Sequence, residues 1–149
     1  MRNLVSSKVT NLAHALEVHV LRLLPGKDLK KEIVSFVINN DIKAGCILTA
    51  VGSLKSVNIR FAGKKDGDKK SGKYEIMSLV GTLDKSGKMH LHIAVSDENG
   101  QISGGHLLEE NIIRTTGEII IGSIAGVVFT RQFEPLSGYD ELIILEDHS

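Results

Sequence analysis

Apolar and polar residues alternate along most of this chain, and the alternation stops at short clusters of Gly, Pro, Asn, Asp and Ser. Met89, Leu91, Ile93 and Val95 fall at every second position, with Lys88, His90, His92 and Ala94 between them, the period of a strand with one buried face. Ser56 to Phe61 alternates the same way, with Val57, Ile59 and Phe61 on one face and Ser56, Asn58 and Arg60 on the other. Leu16 to Leu24 is dense in β-formers and predicts a first strand stopped by Pro25-Gly26. Cys46 to Val51 is a short continuous apolar run, as in a strand covered on both faces, and Gly52-Ser53 predicts a turn after it. Tyr74 to Leu83 predicts a strand that Asp84-Lys85-Ser86-Gly87 turns into the histidine strand, an antiparallel meander. Helical spacing occurs in Lys27 to Asn40, where Asp28 is a good N-cap and Leu29, Ile33, Phe36, Val37 and Asn40 form one stripe.

The remaining segments read less sharply. Gly63 to Lys73 predicts a solvated hairpin loop, its five lysines partly offset by two acids and able to touch phosphate. Leu107 to Thr116 is ambiguous between a short helix and an irregular link. Glu118 to Phe129 predicts one long apolar strand bent at its glycines, Thr130 to Tyr139 a loop, and Glu141 to Leu145 a strand that closes the sheet. The last four residues are expected to fray. Residues 1–15 lack a period and are expected to be a loose or partner-bound arm before a single domain at 16–149. Together these elements predict an α+β domain: a mainly antiparallel, highly curved sheet of about seven strands with one main helix on one side.

The chemistry concentrates around the histidine strand. Asp97-Glu98-Asn99-Gly100 has Asp and Gly where a three-residue hairpin loop wants them. If Glu98 to Gly100 form that loop, Asp97 pairs with Gln101 and His92 stands opposite His106, with cross-strand Cβ atoms about 5 Å apart. His90, His92 and His106 would then share one patch, a donor set common in catalytic zinc sites and also suited to iron, nickel or copper. A two-residue Asn99-Gly100 turn would shift the register by one and send His106 to the other face, unless Gly104-Gly105 carried a compensating bulge. In the competing reading the three are ordinary surface histidines. His19 and Arg22 read as structural polar residues of the first strand.

Composition narrows the classes. The chain's 149 residues suit one domain with a core of its own, and its 18 basic and 18 acidic residues cancel, so no global field draws it to nucleic acid or membrane. Cys46 is the sole cysteine, which excludes an intrachain disulfide and suggests a buried thiol. The absence of a leader pattern and of any apolar run near the ~20 residues of a membrane span predicts a soluble cytoplasmic protein. With two tyrosines, four phenylalanines and no tryptophan, recognition by stacked bases or sugar rings is disfavoured.

The order of motifs resembles the plants and prokaryotes conserved (PPC) domain in its stand-alone prokaryotic form, over about residues 17 to 145. The resemblance is carried by LRLLPGKDL at Leu21 to Leu29, AVGSLKSVNIR at Ala50 to Arg60, GKYEIMSLVG at Gly72 to Gly81, MHLHIAVSDENGQISGGHL at Met89 to Leu107 and GEIII at Gly117 to Ile121. It implies a homotrimer, a fold similar to that of acetolactate decarboxylase, and a divalent metal, zinc by the choice of donors, on His90, His92 and His106. In plants the domain follows an AT-hook with an R-G-R-P core; none occurs in these 149 residues, so the DNA-binding implied by that likeness lacks its best understood contact. Two functions follow as expectations. One is metal-dependent binding or turnover of a small carboxylate-containing molecule, with Arg60 holding the carboxylate and Glu75 and Glu118 as acid or base, each otherwise an ordinary exposed strand residue. The other is a DNA-binding or regulatory interaction module without catalysis, supported by the Gly63 to Lys73 loop.

Overall fold

The strand predicted around the histidine pair forms as β4, Met89–Ser96, with Leu91, Ile93 and Val95 buried and His90 and His92 exposed on the opposite face. The computed structural model describes residues 13–147. Around β4 it places β1 (Leu16–Leu23), α1 (Leu29–Asn39), β2 (Ala44–Arg60), β3 (Asp68–Asp84), β5 (Ile102–Leu107), β6 (Ile112–Ile124), β7 (Val127–Glu134) and β8 (Tyr139–Glu146). Six strands form one sheet in the order β1-β6-β2-β3-β4-β5, and β7 and β8 pair separately. All the strand pairings among the described residues are antiparallel.

The α+β class and the mainly antiparallel sheet are as the patterning predicts, and among the described residues there are one helix and eight strands in place of about seven. Helix α1 starts on the Asp28 cap, whose Oδ1 accepts from the amides of Lys30 and Lys31 at 3.0 and 3.2 Å. Its Leu29, Ile33 and Val37 are fully buried and join the core formed by Leu91, Ile93 and Val95 of β4 with Ile113 and Ile119 of β6. Burying each such side chain contributes about 1.5–3 kcal/mol, so this one apolar face holds the helix to the sheet.

Three segments depart from the predicted pattern. Gly52-Ser53 is no turn: β2 runs through it as a 17-residue strand. Gly52 has φ +150°, and a Cβ there would collide with the Thr116 carbonyl, so the glycine lets β2 bend against β6 without ending. The predicted strand Glu118 to Phe129 is two strands, β6 and β7, reversed at Ala125-Gly126, where Gly126 has φ +79°. The first half of the predicted loop Thr130 to Tyr139 is β7 and Tyr139 starts β8, so only residues 135–138 turn, closed by the Gly138 amide donating to the Glu134 carbonyl at 2.8 Å. Consequently β8 pairs with β7 and does not close the main sheet.

Smaller corrections follow. The ambiguous Leu107 to Thr116 becomes the end of β5 and the start of β6, and much of the predicted Gly63 to Lys73 loop is strand β3. Cys46 is half-buried. At the C-terminus Glu146 is in β8 and Asp147 is tied down by its amide donating to the Gly126 carbonyl at 3.0 Å and by Lys43 at 2.8 Å, while residues 148–149 lie outside the described residues, as do residues 1–12 of the predicted 1–15 arm. No helix among the described residues is long and apolar enough to cross a membrane.

The length of β2 positions the site. The strand pairs with β3 and β6 along most of its length, and its last residues also reach β5, with Ile59 opposite Leu107 and Arg60 opposite His106. Strands β2, β3, β4 and β5 thereby form a closed circuit, and Arg60 arrives beside the histidines through backbone pairing.

Candidate metal centre and its cleft

The Asp97 turn has the three-residue form. The Asp97 amide donates to the Gln101 carbonyl at 2.9 Å and the Gly100 amide to the Asp97 carbonyl at 3.0 Å, with Gly100 at φ +77°. Asp97 Oδ1 accepts from the amides of Asn99 and Gln101 at 2.8 and 2.9 Å, which locks the reversal from within. Register then follows by counting, and His92 stands opposite His106 with Gly104 and Gly105 in step and no bulge. Those glycines are needed for another reason: a Cβ at Gly104 would sit 2.7 Å from the Ile93 carbonyl oxygen, and one at Gly105 2.6 Å from that of Arg60.

The three imidazoles converge. Ring centroids lie 4.9 Å apart for His90 and His92, 5.5 Å for His90 and His106, and 5.9 Å for His92 and His106. One ligand nitrogen from each lies within 4.8 Å of the others, and the Nε2 atoms of His90 and His92 are 3.2 Å apart. Zinc–nitrogen bonds of about 2.0–2.1 Å put tetrahedral ligand nitrogens about 3.3 Å apart, so the His90–His92 pair already has the spacing and His106 needs a small rotation. The donor set fits a divalent ion.

Electrostatics favours the ligating form of His90 and His106. Partial burial pushes the His106 pKa down to about 4, helped by the positive charges of Arg60 and Lys30. Burial also lowers that of His90, with the charges of His92 and Arg131 adding to it and Glu141 opposing. Neutral imidazoles present lone pairs to a metal at neutral pH.

The predicted chemistry-bearing residues are only partly brought together. Arg60 is directly beside His106, and its Nη1 lies 3.4 Å from the Lys64 carbonyl, which accepts from it. Glu75 is exposed on β3 between Ser53 and Ser96, and Glu118 is exposed on β6 between Arg22 and Val51, so both sit in the sheet away from the imidazoles. A cleft of about 750 Å³ opens over the site, with Arg60, His90 and His106 on one wall and Arg131, Phe133, Tyr139 and Glu141 of the β7–β8 hairpin on the other. Glu75 and Glu118 do not line it. The hairpin residues escaped the sequence reading because Pro135 and Ser137-Gly138 mark a turn without showing that strands flank it. The period-2 placing of Phe129, Arg131 and Phe133 against Thr130, Gln132 and Glu134 was the signal available.

Comparison with known proteins bears on the fold and the family. A Salmonella protein of solved structure is 39% identical, superposes with a TM-score of 0.87, and the match covers 91% of this chain and 97% of that one. A metal-containing protein from Archaeoglobus fulgidus is 26% identical, with a TM-score of 0.72 over 91% of this chain and 99% of that one. Among curated relatives, the bifunctional protein GlmU of a Synechococcus strain is 42% identical over 130 residues, 87% of this chain, and an AT-hook motif nuclear-localized protein of Arabidopsis thaliana is 29% identical over 113 residues, 70% of this chain. The chain spans only 21% and 32% of the lengths of those two relatives. With the family model matching residues 11–125, most of its length, the chain belongs to the plants and prokaryotes conserved domain family.

Proposed function

We propose that this chain is a PPC-type module for DNA association or regulation that carries a divalent ion on His90, His92 and His106. The observation that carries the metal is the convergence of three ligand nitrogens within 4.8 Å on one sheet face. An all-nitrogen set of three with room for a further ligand suits zinc, which there would act as a Lewis acid toward a ligand oxygen. The likeness to a metal-containing archaeal protein supports the site, and the likeness to AT-hook nuclear proteins supports the association with DNA. The module acts as a homotrimer in the cytoplasm. Self-association is supported by β1, an edge strand exposing Leu16, Val18 and Val20 in a row.

The metal and the DNA readings are tested separately. Chelator-treated protein reconstituted with zinc should bind about one ion per chain, and His92→Ala should abolish it; a wild-type protein that takes up none removes the site. Binding to duplex DNA should weaken steeply as salt rises, and no binding at low salt ends that part. Of the five lysines in residues 63–73, Lys69, Lys70 and Lys73 are paired with Glu110, Asp68 and Glu98, so the segment's charge toward phosphate is reduced to that of Lys64 and Lys65. DNA association through this domain is therefore expected to be weak alone.

A second reading has its own support in the cleft: binding of a small carboxylate-containing molecule, with Arg60 as its anchor. Turnover of the kind seen in acetolactate decarboxylase, with Glu75 and Glu118 as acid or base, would require carboxylates that reach the imidazoles. Neither glutamate lines the cleft, so binding is favoured over catalysis.

A further inference from the structure

Arg131 is a buried cation with donors to spare. Its side chain is 7% exposed, yet it lines the cleft. Nη2 donates to Thr82 Oγ1 at 2.8 Å, while Nε is buried without a hydrogen-bond partner. The nearest carboxylate oxygen, Asp84 Oδ2, stands 3.9 Å from that Nε, close enough for charge compensation and too far for a hydrogen bond. The other Asp84 oxygen is fully occupied, accepting from the Ser86 amide, the Ser86 hydroxyl and the Lys88 amide at 2.8, 2.6 and 3.1 Å. Nε, enclosed against Asp84, is out of a ligand's reach, so it is the remaining edge of the guanidinium, held in place by Thr82 and Asp84, that lines the cleft and offers a donor to a ligand acceptor there.

Its position relative to Arg60 narrows the ligand. Thr82, the anchor of Arg131, stands opposite His90 in the β3–β4 register, and Arg60 stands opposite His106 in the β2–β5 register. Passing around the circuit, Arg60 is on β2, His106 on β5, His90 and His92 on β4, and Thr82 on β3. A guanidinium therefore flanks the imidazoles at each end. Guanidinium groups bind carboxylates through paired, charge-assisted hydrogen bonds. A single-centre oxyanion engages one arginine, whereas a short diacid presents an anionic group to each.

We propose that Arg131 and Arg60 are paired anion-binding groups of this cleft, and that it takes a compact dicarboxylate lying across the imidazoles of His90 and His106, which line it. The inference rests on the three-histidine reading for the middle of the ligand, and adds to it the second arginine and the ligand class. Arg131 lies beyond residues 11–125, so this specificity belongs to the C-terminal hairpin and not to the segment that defines the family.

The test uses full-length protein with zinc content measured first. Calorimetric titration compares L-malate with 2-hydroxybutanoate, which keeps the same hydroxy-acid head and has a methyl in place of the second carboxylate, and with inorganic phosphate. Malate is expected to bind at least about tenfold more tightly than either. Arg131→Gln should erase the preference over 2-hydroxybutanoate with zinc content unchanged. Because that substitution strands Asp84 in the interior, Arg131→Gln combined with Asp84→Asn removes both charges together, and Arg60→Gln, at a half-exposed position, should also reduce the preference. Equal binding of the two acids by wild-type protein overturns the proposal, as does a preference that survives the double substitution or phosphate binding as tight as that of malate. Failure to take up zinc shows at the metal analysis, and rejects the three-histidine reading together with the inference built on it.

Discussion

At His106 the ring is half-buried beside Arg60 and Lys30, and its pKa falls from 6.5 to about 4. A histidine whose folded pKa lies below its unfolded value binds fewer protons when folded, so the stability it contributes is present above pH 6.5 and is lost as pH falls toward 4. Metal-free protein should therefore lose melting temperature between neutral pH and pH about 5, and His106→Gln should flatten that slope; a thermal melt series over pH reads it. Added zinc should oppose the loss by selecting the neutral rings. Asn111 is the other residue with a sharp outcome. Fully buried, it accepts from the Asn58 amide at 3.0 Å and donates to the carbonyls of Asn58 and Leu108 at 3.0 and 2.8 Å, tying β2 to the link before β6. Asn111→Ala should cost about 2–3 kcal/mol, read by urea unfolding, because it leaves buried backbone groups without partners.

At the scale of elements, two glycines let long strands pass closely over their neighbours. Gly81 of β3 has φ +140°, and a Cβ there would collide with the carbonyl of His90 on β4. Gly81→Ala must therefore push the two strands apart at the histidine pair. Both a loss of stability of about 1–3 kcal/mol and weaker zinc binding are expected, by chemical denaturation and metal titration. Gly52 plays the corresponding part between β2 and β6, and it shows why that pair was misread. Gly-Ser after an apolar run has the composition of a turn, and the same left-handed freedom serves equally to bend a strand that continues. Gly126 shows the reverse error, since glycine inside an apolar run looks like a bend until the reversal at Ala125-Gly126 is seen.

For the whole molecule, β1 is the exposed consequence of the sheet order. It pairs only with β6 among the described residues and leaves Val18 57% and Val20 73% exposed next to Leu16. Met77 and Val80 of β3 are also exposed, and Val80 stands opposite His92, so an apolar surface approaches the candidate metal centre. If subunits associate through the edge strand, Val18→Lys with Val20→Lys should convert the proposed trimer to monomer in sedimentation analysis while leaving the thermal unfolding of the monomer cooperative. An unchanged oligomer would place the contact elsewhere.

Local pattern was enough to determine the α+β class, the Asp28-capped helix and the buried and exposed faces of β4, because each depends on a short period, whereas the meeting of His90, His92 and His106 followed from sequence only on condition that the Asp97 turn takes its three-residue form and not the two-residue one. The Asp97 loop made the histidine register a matter of counting. What brings Arg60 to His106, sets Arg131 over Thr82 and leaves Glu75 and Glu118 outside the cleft is the closure of β2 onto β5 and the folding of the β7–β8 hairpin over the site. Those contacts join residues far apart in the chain. Only tertiary packing decides them, since alternation says which way a side chain faces and nothing about which distant strand lies beside it.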